Sequence, residues 1–339
     1  MGEGAITGLG PIVGGTAAGG VALVQATQVA REAEVHRSAN GVRFATYGET
    51  GVPAPDLDRM LEAVPTVIAG ALKSNTYYFV PLALREPEAH DDTPAEGTTR
   101  RGQSQGLGVD LHSGPSPDQA MVAPAWTEDL GDAAICHRNV ELGSGNRGVF
   151  ISTRLMGDRF ALSFEFFINV AHAFVDGAGV PKPFAALAWQ QALSHVRGET
   201  SLDAWESRNL AMGRPADWNP DLIPSTSGPR RGRALTGATL ASRSFGSGHG
   251  AGNLASLQAS AEPVKIDEKE RAEFEESAFS DALAIYLLSL ALDLDYSELR
   301  ERDYPLLAPG ALAERLRLVA ELYPPNAGYD FAVKYRRRA

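Results

Sequence analysis

The sequence predicts an α+β protein: a mixed or antiparallel sheet core with flanking helices, a helical C-terminal part and long loop insertions. Three observations carry this expectation. Short runs rich in aromatic and β-branched residues recur between turn residues from Val42 to Leu155. After residue 184 the chain turns to amphipathic helical patterns. Two stretches, 86–120 and 213–262, carry Pro, Gly, Ser and Asp with few apolar anchors and read as loops or linkers. The organisation expected is an apolar Gly-rich arm over 1–20, an α/β core over 21–212 with the insertion 86–120, a loop-rich linker over 213–262 and a helical region over 263–339. No internal repeat is visible.

Taken in order, a helix is expected at about 21–37 and a short strand over Val42–Tyr47. Asp56 is placed to cap a helix over 56–73, which Pro65 kinks. Asn75–Leu84 reads as one strand. Ala133–Leu142 and Gly148–Leu155 read as a hairpin joined by Gly143-Ser144-Gly145-Asn146. Over Asp158–Asp176 the even positions Phe160, Leu162, Phe164, Phe166, Ile168 and Val170 alternate with a more polar odd set, so a long strand is predicted, with a buried helix as the competing reading. Helices follow at about 184–196, 201–212, 267–293 and 310–323.

Composition narrows the function classes. The chain has 339 residues, 44% hydrophobic and 22% charged, enough to bury a core without covalent staples. Its formal net charge of −11 repels a polyanion on average, so no nucleic-acid partner is expected; the short basic clusters Arg100-Arg101, Arg230–Arg233 and Arg336–Arg338 read as solvated charge. The single cysteine, Cys136, forbids an internal disulfide and a multi-thiolate zinc site, and it fits a reducing, cytoplasmic setting. From Gly4 to Ala30 there is no charge, yet the stretch is too rich in glycine for a membrane span and lacks the basic start of a signal peptide. Gly8-Leu9-Gly10 begins a glycine-rich turn, but too few residues precede it for a buried strand, and its spacing is wrong for a P-loop with no Gly-Lys-Ser/Thr following, so no dinucleotide or phosphate-loop site is expected.

One constellation carries chemistry. His172-Ala-Phe-Val-Asp176-Gly177 spells H-x-x-x-D-G after the predicted strand and before a helix. This segment, within about residues 158–196, resembles the active-site segment of the chloramphenicol acetyltransferase-like, CoA-dependent acyltransferases. The resemblance implies that His172 is a general base, taking a proton from a hydroxyl, amine or thiol acceptor as it attacks a thioester. It implies a structural Asp176, held through an arginine, and a Gly177 that leaves room for a turn. A coenzyme A thioester would be a co-substrate, with no tightly bound cofactor. The family's D-F-G-W-G motif is absent. A histidine suits proton abstraction near neutral pH.

Other residues have plainer readings. Cys136 and His137 are adjacent on a predicted strand and point to opposite faces. Cys136 paired with His172 across neighbouring strands is a further geometry to test. His90-Asp91-Asp92 and His112 lie in the insertion and read as loop polarity, Glu273, Glu275 and Glu276 as a solvated helix face, and no metal motif is recognised. Tyr77-Tyr78-Phe79 and Phe164–Phe167 read as core before they read as a ligand pocket. The alternative to an enzyme is a structural, self-assembling protein, such as a shell, filament or scaffold subunit, that uses the apolar arm for contacts in a homo-oligomer.

Overall fold

The computed structural model describes residues 22–85, 120–219, 266–292 and 304–333. The arm 1–20, residues 86–119 and 220–262 of the two insertions, His90, Asp91, Asp92, His112 and the three arginine clusters lie outside the described residues. Those described form an α+β fold with eight helices and two sheets, one antiparallel and one mixed.

The first residues differ from the expected long helix. A strand β1 (Val24–Gln25), a helix α1 (Ala26–Glu32) and a strand β2 (His36–Arg37) share that stretch. Then come β3 (Arg43–Thr46), α2 (Ala54–Glu62) and α3 (Thr66–Ala71). The predicted helix 56–73 is thus two helices. Pro65 sits at the N-cap of α3, since its ring cannot continue α2. Pro53, not Asp56, caps α2, and Asp56 in the first turn pairs instead with Arg159 at 3.2 Å.

The predicted strand 75–84 divides at Pro81 into β4 (Asn75–Val80) and β5 (Leu82–Leu84). Proline has no N–H for a ladder, so the strand bends there and its two parts join different sheets. After β6 (Met121–Ala123), the predicted strand 133–142 divides likewise at Cys136 into β7 (Ala134–Ile135) and β8 (His137–Glu141). The expected hairpin to β9 (Arg147–Ser152) is present, with Gly143, Ser144 and Gly145 all at positive φ. The five-stranded sheet has the order β2-β3-β4-β9-β8, with β3, β4 and β9 parallel; the four-stranded sheet has the order β1-β6-β5-β7.

Both bends are held by the end of β9. The buried Ser152 hydroxyl accepts from Ala83 N at 2.7 Å and donates to Ile135 O at 2.5 Å. Ser152 N donates to Cys136 O, Thr153 N to Val80 O and Arg154 N to Pro81 O. Backbone groups that the bends would orphan are therefore paired, as buried polar groups must be.

The five-stranded sheet is buried on both faces. Tyr77, Phe79, Val149 and Ile151 belong to the main core with the helices, while Tyr78, Val80 and Phe150 pack with α1 and strands of the smaller sheet. The helices that cover it are α4 (Arg159–Ala178), α5 (Lys182–Leu193), α6 (Leu202–Ala211), α7 (Glu268–Ala291) and α8 (Pro309–Leu322). Helix α7 is buried around most of its C-terminal half, as an all-round apolar helix must be, and packs on α4, α5, α6 and α8. The C-terminal helices therefore share one core with residues 42–212.

A buried ion network ties the helices together. Glu199, fully buried, accepts from Arg208 at 3.0 Å and from Arg315 at 2.9 and 3.3 Å. Arg208 also donates to Val196 O and Gly198 O, and Arg315 to Gln191 Oε1. Removing the carboxylate leaves two guanidinium groups buried beside each other. Glu199→Ala is expected to cost about 3–5 kcal/mol. Urea unfolding checks this; a loss under about 1 kcal/mol would show the network to be dispensable.

Candidate functional site

The segment predicted as a strand, 158–176, is the helix α4. Asp158 caps it by accepting from Ala161 N at 2.7 Å, and Gly179, at φ +71°, ends it. A one-faced strand would bury the even positions alone. Here Ser163, Phe167, Asn169, Ala171 and Val175 are buried together with Leu162, Phe166, Val170 and Phe174, so the buried surface wraps much of a cylinder. His172 accordingly stands within a helix and not at a strand end, and the strand–loop–helix setting that accompanied its motif is not observed. Gly177 also lies in the last turn of α4 with a negative φ. A Cβ added there meets nothing within 4 Å, so the position needs no glycine.

Glu165, Asn169, His172 and Asp176 are four, three and four residues apart, so they form one polar stripe along an otherwise apolar helix. The sheet supplies partners. His137, the first residue of β8, hydrogen-bonds through Nδ1 to Glu165 Oε1. Asn169 Nδ2 donates to Glu165 O at 2.8 Å and to its carboxylate at 3.2 Å. Arg147, which opens β9, bonds Asp176 at 3.0 Å and Glu141 at 3.3 Å. Asp176 is thus held by an arginine, and the pair clamps α4 to β9 instead of shaping a loop. Beneath α4 the Tyr77 ring meets Phe166 edge-on, and its buried hydroxyl has no partner among the described residues.

His172 is half-buried and has no hydrogen-bond partner among the described residues. Burial pushes its pKa down, so the imidazole is neutral near neutral pH. Asp176 opposes that shift, His137 adds to it, and Asp203 and Glu165 oppose it. Asp203, in the first turn of α6, has its own carboxyl pushed up by burial and pulled back by His172. Behind it Asp281 of α7 accepts from the hydroxyls of Thr200, at 2.8 Å, and Ser201, and burial pushes its carboxyl up to about 6. Perturbed titratable groups from α4, α6 and α7 are thus coupled in series, His172 to Asp203 and Asp203 to Asp281, with His137 of β8 coupled to His172.

Cys136 does not pair with His172 across strands, because His172 is on a helix. Burial, then Glu165, pushes the Cys136 thiol up, so it is a poor source of thiolate. Among the described residues no group of three or more His, Cys, Asp or Glu side chains is placed to hold a metal ion. His172 and Asp176 are the sequence-predicted residues that belong to the stripe. Glu165, Asn169, Arg147, Asp203 and Asp281 were missed. The 165–169–172–176 spacing was a usable signal only once the run is read as helical; nothing in the sequence points to Asp203 or Asp281.

Two outcomes check this arrangement. Gly177→Ala is expected to stabilise the protein by about 0.5–1 kcal/mol, as in any exposed helical turn; a marked loss would mean that a turn needs glycine there. Asp281 is protonated more readily in the folded chain, so its contribution to stability falls as pH rises from about 3.8 to about 6. Asp281→Asn should therefore be more stable than wild type at pH 7.5, with the difference shrinking towards pH 4. Thermal unfolding across that range reads it, and a variant less stable at pH 7.5 would contradict it.

Comparison with protein-family models, with curated proteins and with solved structures returns no match.

Proposed function

We propose that the protein is an enzyme that uses His172 as a general base in group transfer, acyl transfer from a thioester being the reaction implied by the H-x-x-x-D-G segment. The observation that carries this reading is the convergence of the α4 stripe with His137 and Asp203 around an imidazole that has no partner of its own. A general base must be neutral before reaction and stabilised once it has taken the proton. Burial favours the neutral form of His172, and the carboxylates of Asp176, Asp203 and Glu165 favour the imidazolium that follows.

In the proposed step His172 removes the proton of an acceptor hydroxyl, amine or thiol. The acceptor atom adds to the thioester carbonyl, and the tetrahedral adduct collapses with cleavage of the carbon–sulfur bond. The departing thiolate recovers the proton from the imidazolium. The Asp176–Arg147 pair keeps α4 in register with β9 while this happens.

A thioester-cleavage screen with hydroxyl, amine and thiol acceptors tests the reading. His172→Ala should lower kcat/KM by about 10²–10⁴ while leaving the circular dichroism spectrum unchanged. Asp203→Asn should move the acidic limb of the pH–rate profile to lower pH, since it removes a carboxylate that favours the imidazolium. A folded His172→Ala with wild-type turnover, or no thioester cleavage with any acceptor, would overturn it.

A second reading, self-assembly into a homo-oligomer, draws support from one surface. Phe160 and Phe164 stack in parallel on α4 with centroids 6.5 Å apart, are 37% and 39% exposed, and follow an exposed Leu155. Light scattering on a sizing column should then give a defined oligomer that Phe164→Glu dissociates. A monomer at every concentration would contradict it.

A further inference from the structure

The N-terminal end of α4 borders a cavity remote from His172. Because β3, β4 and β9 are parallel, their carboxyl ends open on one side, where ligands commonly bind in α/β sheets. There the segments 50–53 and 153–158, the first turns of α4 and Asp56 and Met60 of α2 border a half-open pocket of about 280 Å³. Thr153 holds the two loops together: its hydroxyl donates to Thr50 O at 2.8 Å, with Val80 O a second acceptor within reach at 3.1 Å.

The charges around this cavity are unevenly satisfied. Asp56 is taken up by Arg159 at 3.2 Å, and Asp158 caps its own helix. Arg154 has no carboxylate partner among the described residues. Its guanidinium lies across Gly51, where a Cβ would come within 2.5 Å of Nη1; Gly51 is also at φ +69°. Ser163 lines the cavity at 3% exposure, and its hydroxyl has no hydrogen-bond partner among the described residues. Its oxygen is not among the fully buried unpaired polar atoms, so the hydroxyl is open to the cavity and available to a ligand there.

We propose that this cavity binds the oxyanion group, phosphate or carboxylate, of a small molecule. Arg154 supplies the counter-charge and the planar donor fork suited to an oxyanion. Ser163 donates a hydrogen bond, and the positive end of the twenty-residue helix α4 adds to the field. The volume accommodates a phosphate or carboxylate with a short substituent. Ser163 and His172 are nine residues apart, about 13 Å along the helix, so the inference is independent of the proposed chemistry at His172.

The test is a titration of the full chain with inorganic phosphate and, separately, with acetate. Ionic strength is held constant with chloride, and binding is read by calorimetry and by thermal shift. One of the two anions should raise Tm beyond the chloride control, and which one does so distinguishes a phosphate from a carboxylate ligand. Arg154→Gln should weaken binding at least tenfold, Ser163→Ala several-fold, and Gly51→Ala should weaken it by displacing the guanidinium. His172→Ala should leave it unchanged. Stabilisation by neither anion, binding by Arg154→Gln as tight as wild type, or loss of binding in His172→Ala would each overturn the proposal.

Discussion

Burial of α4 governs where polar chemistry can stand in this molecule. The helix is packed against the five-stranded sheet through Phe166 and against α7. Its apolar side chains occupy most of its circumference, and each contributes about 1.5–3 kcal/mol when taken out of water. Polar groups on such a helix cost least where another element supplies a partner. Glu165 and Asp176 of the stripe meet that condition, because β8 brings His137 and β9 brings Arg147, while Asn169 is paired with Glu165 on its own helix. His172 is the member left without a hydrogen bond among the described residues, and that makes it chemically available.

The same constraint reaches the rest of the fold. α4 leaves the sheet from the end of β9, and the end of β9 is also where Ser152 and Thr153 satisfy the backbone at both sheet-to-sheet bends. On the other side, the buried Glu199–Arg208–Arg315 network fixes the segment before α6, and α6 itself, against α8, next to the elements that carry Asp203 and Asp281. The polar interior is therefore of two kinds. Around Glu199 the charges are mutually satisfied and structural. Around His172 the charges leave proton affinities displaced from their ordinary values.

The α+β class was legible because short aromatic strands, a Gly-rich hairpin and amphipathic C-terminal helices each leave a local pattern. Tyr77, Tyr78 and Phe79 are core residues, as their type suggests. The strands that cross between sheets were not legible as two elements each, since the ladder partners that divide them at Pro81 and Cys136 come from remote sequence. The largest misreading was 158–176. When nearly every residue is apolar, period two and period 3.6 both find support. Its length, twenty helical residues, and the Asp158 cap favoured the helix; strands rarely exceed about ten residues. With that misreading, His172 was set in the wrong backbone context, and Glu165, Asn169 and Asp203 went unseen.

The most direct measurement is the protonation of His172 itself, followed by NMR of its ring hydrogens in wild type and in Asp203→Asn. The account predicts a pKa below the ordinary value of about 6.5 in wild type and a lower one in the variant, where burial acts with one fewer opposing carboxylate. A His172 that titrates at or above 6.5 and ignores the loss of Asp203 would contradict the claim that this stripe holds a neutral base ready to take a proton.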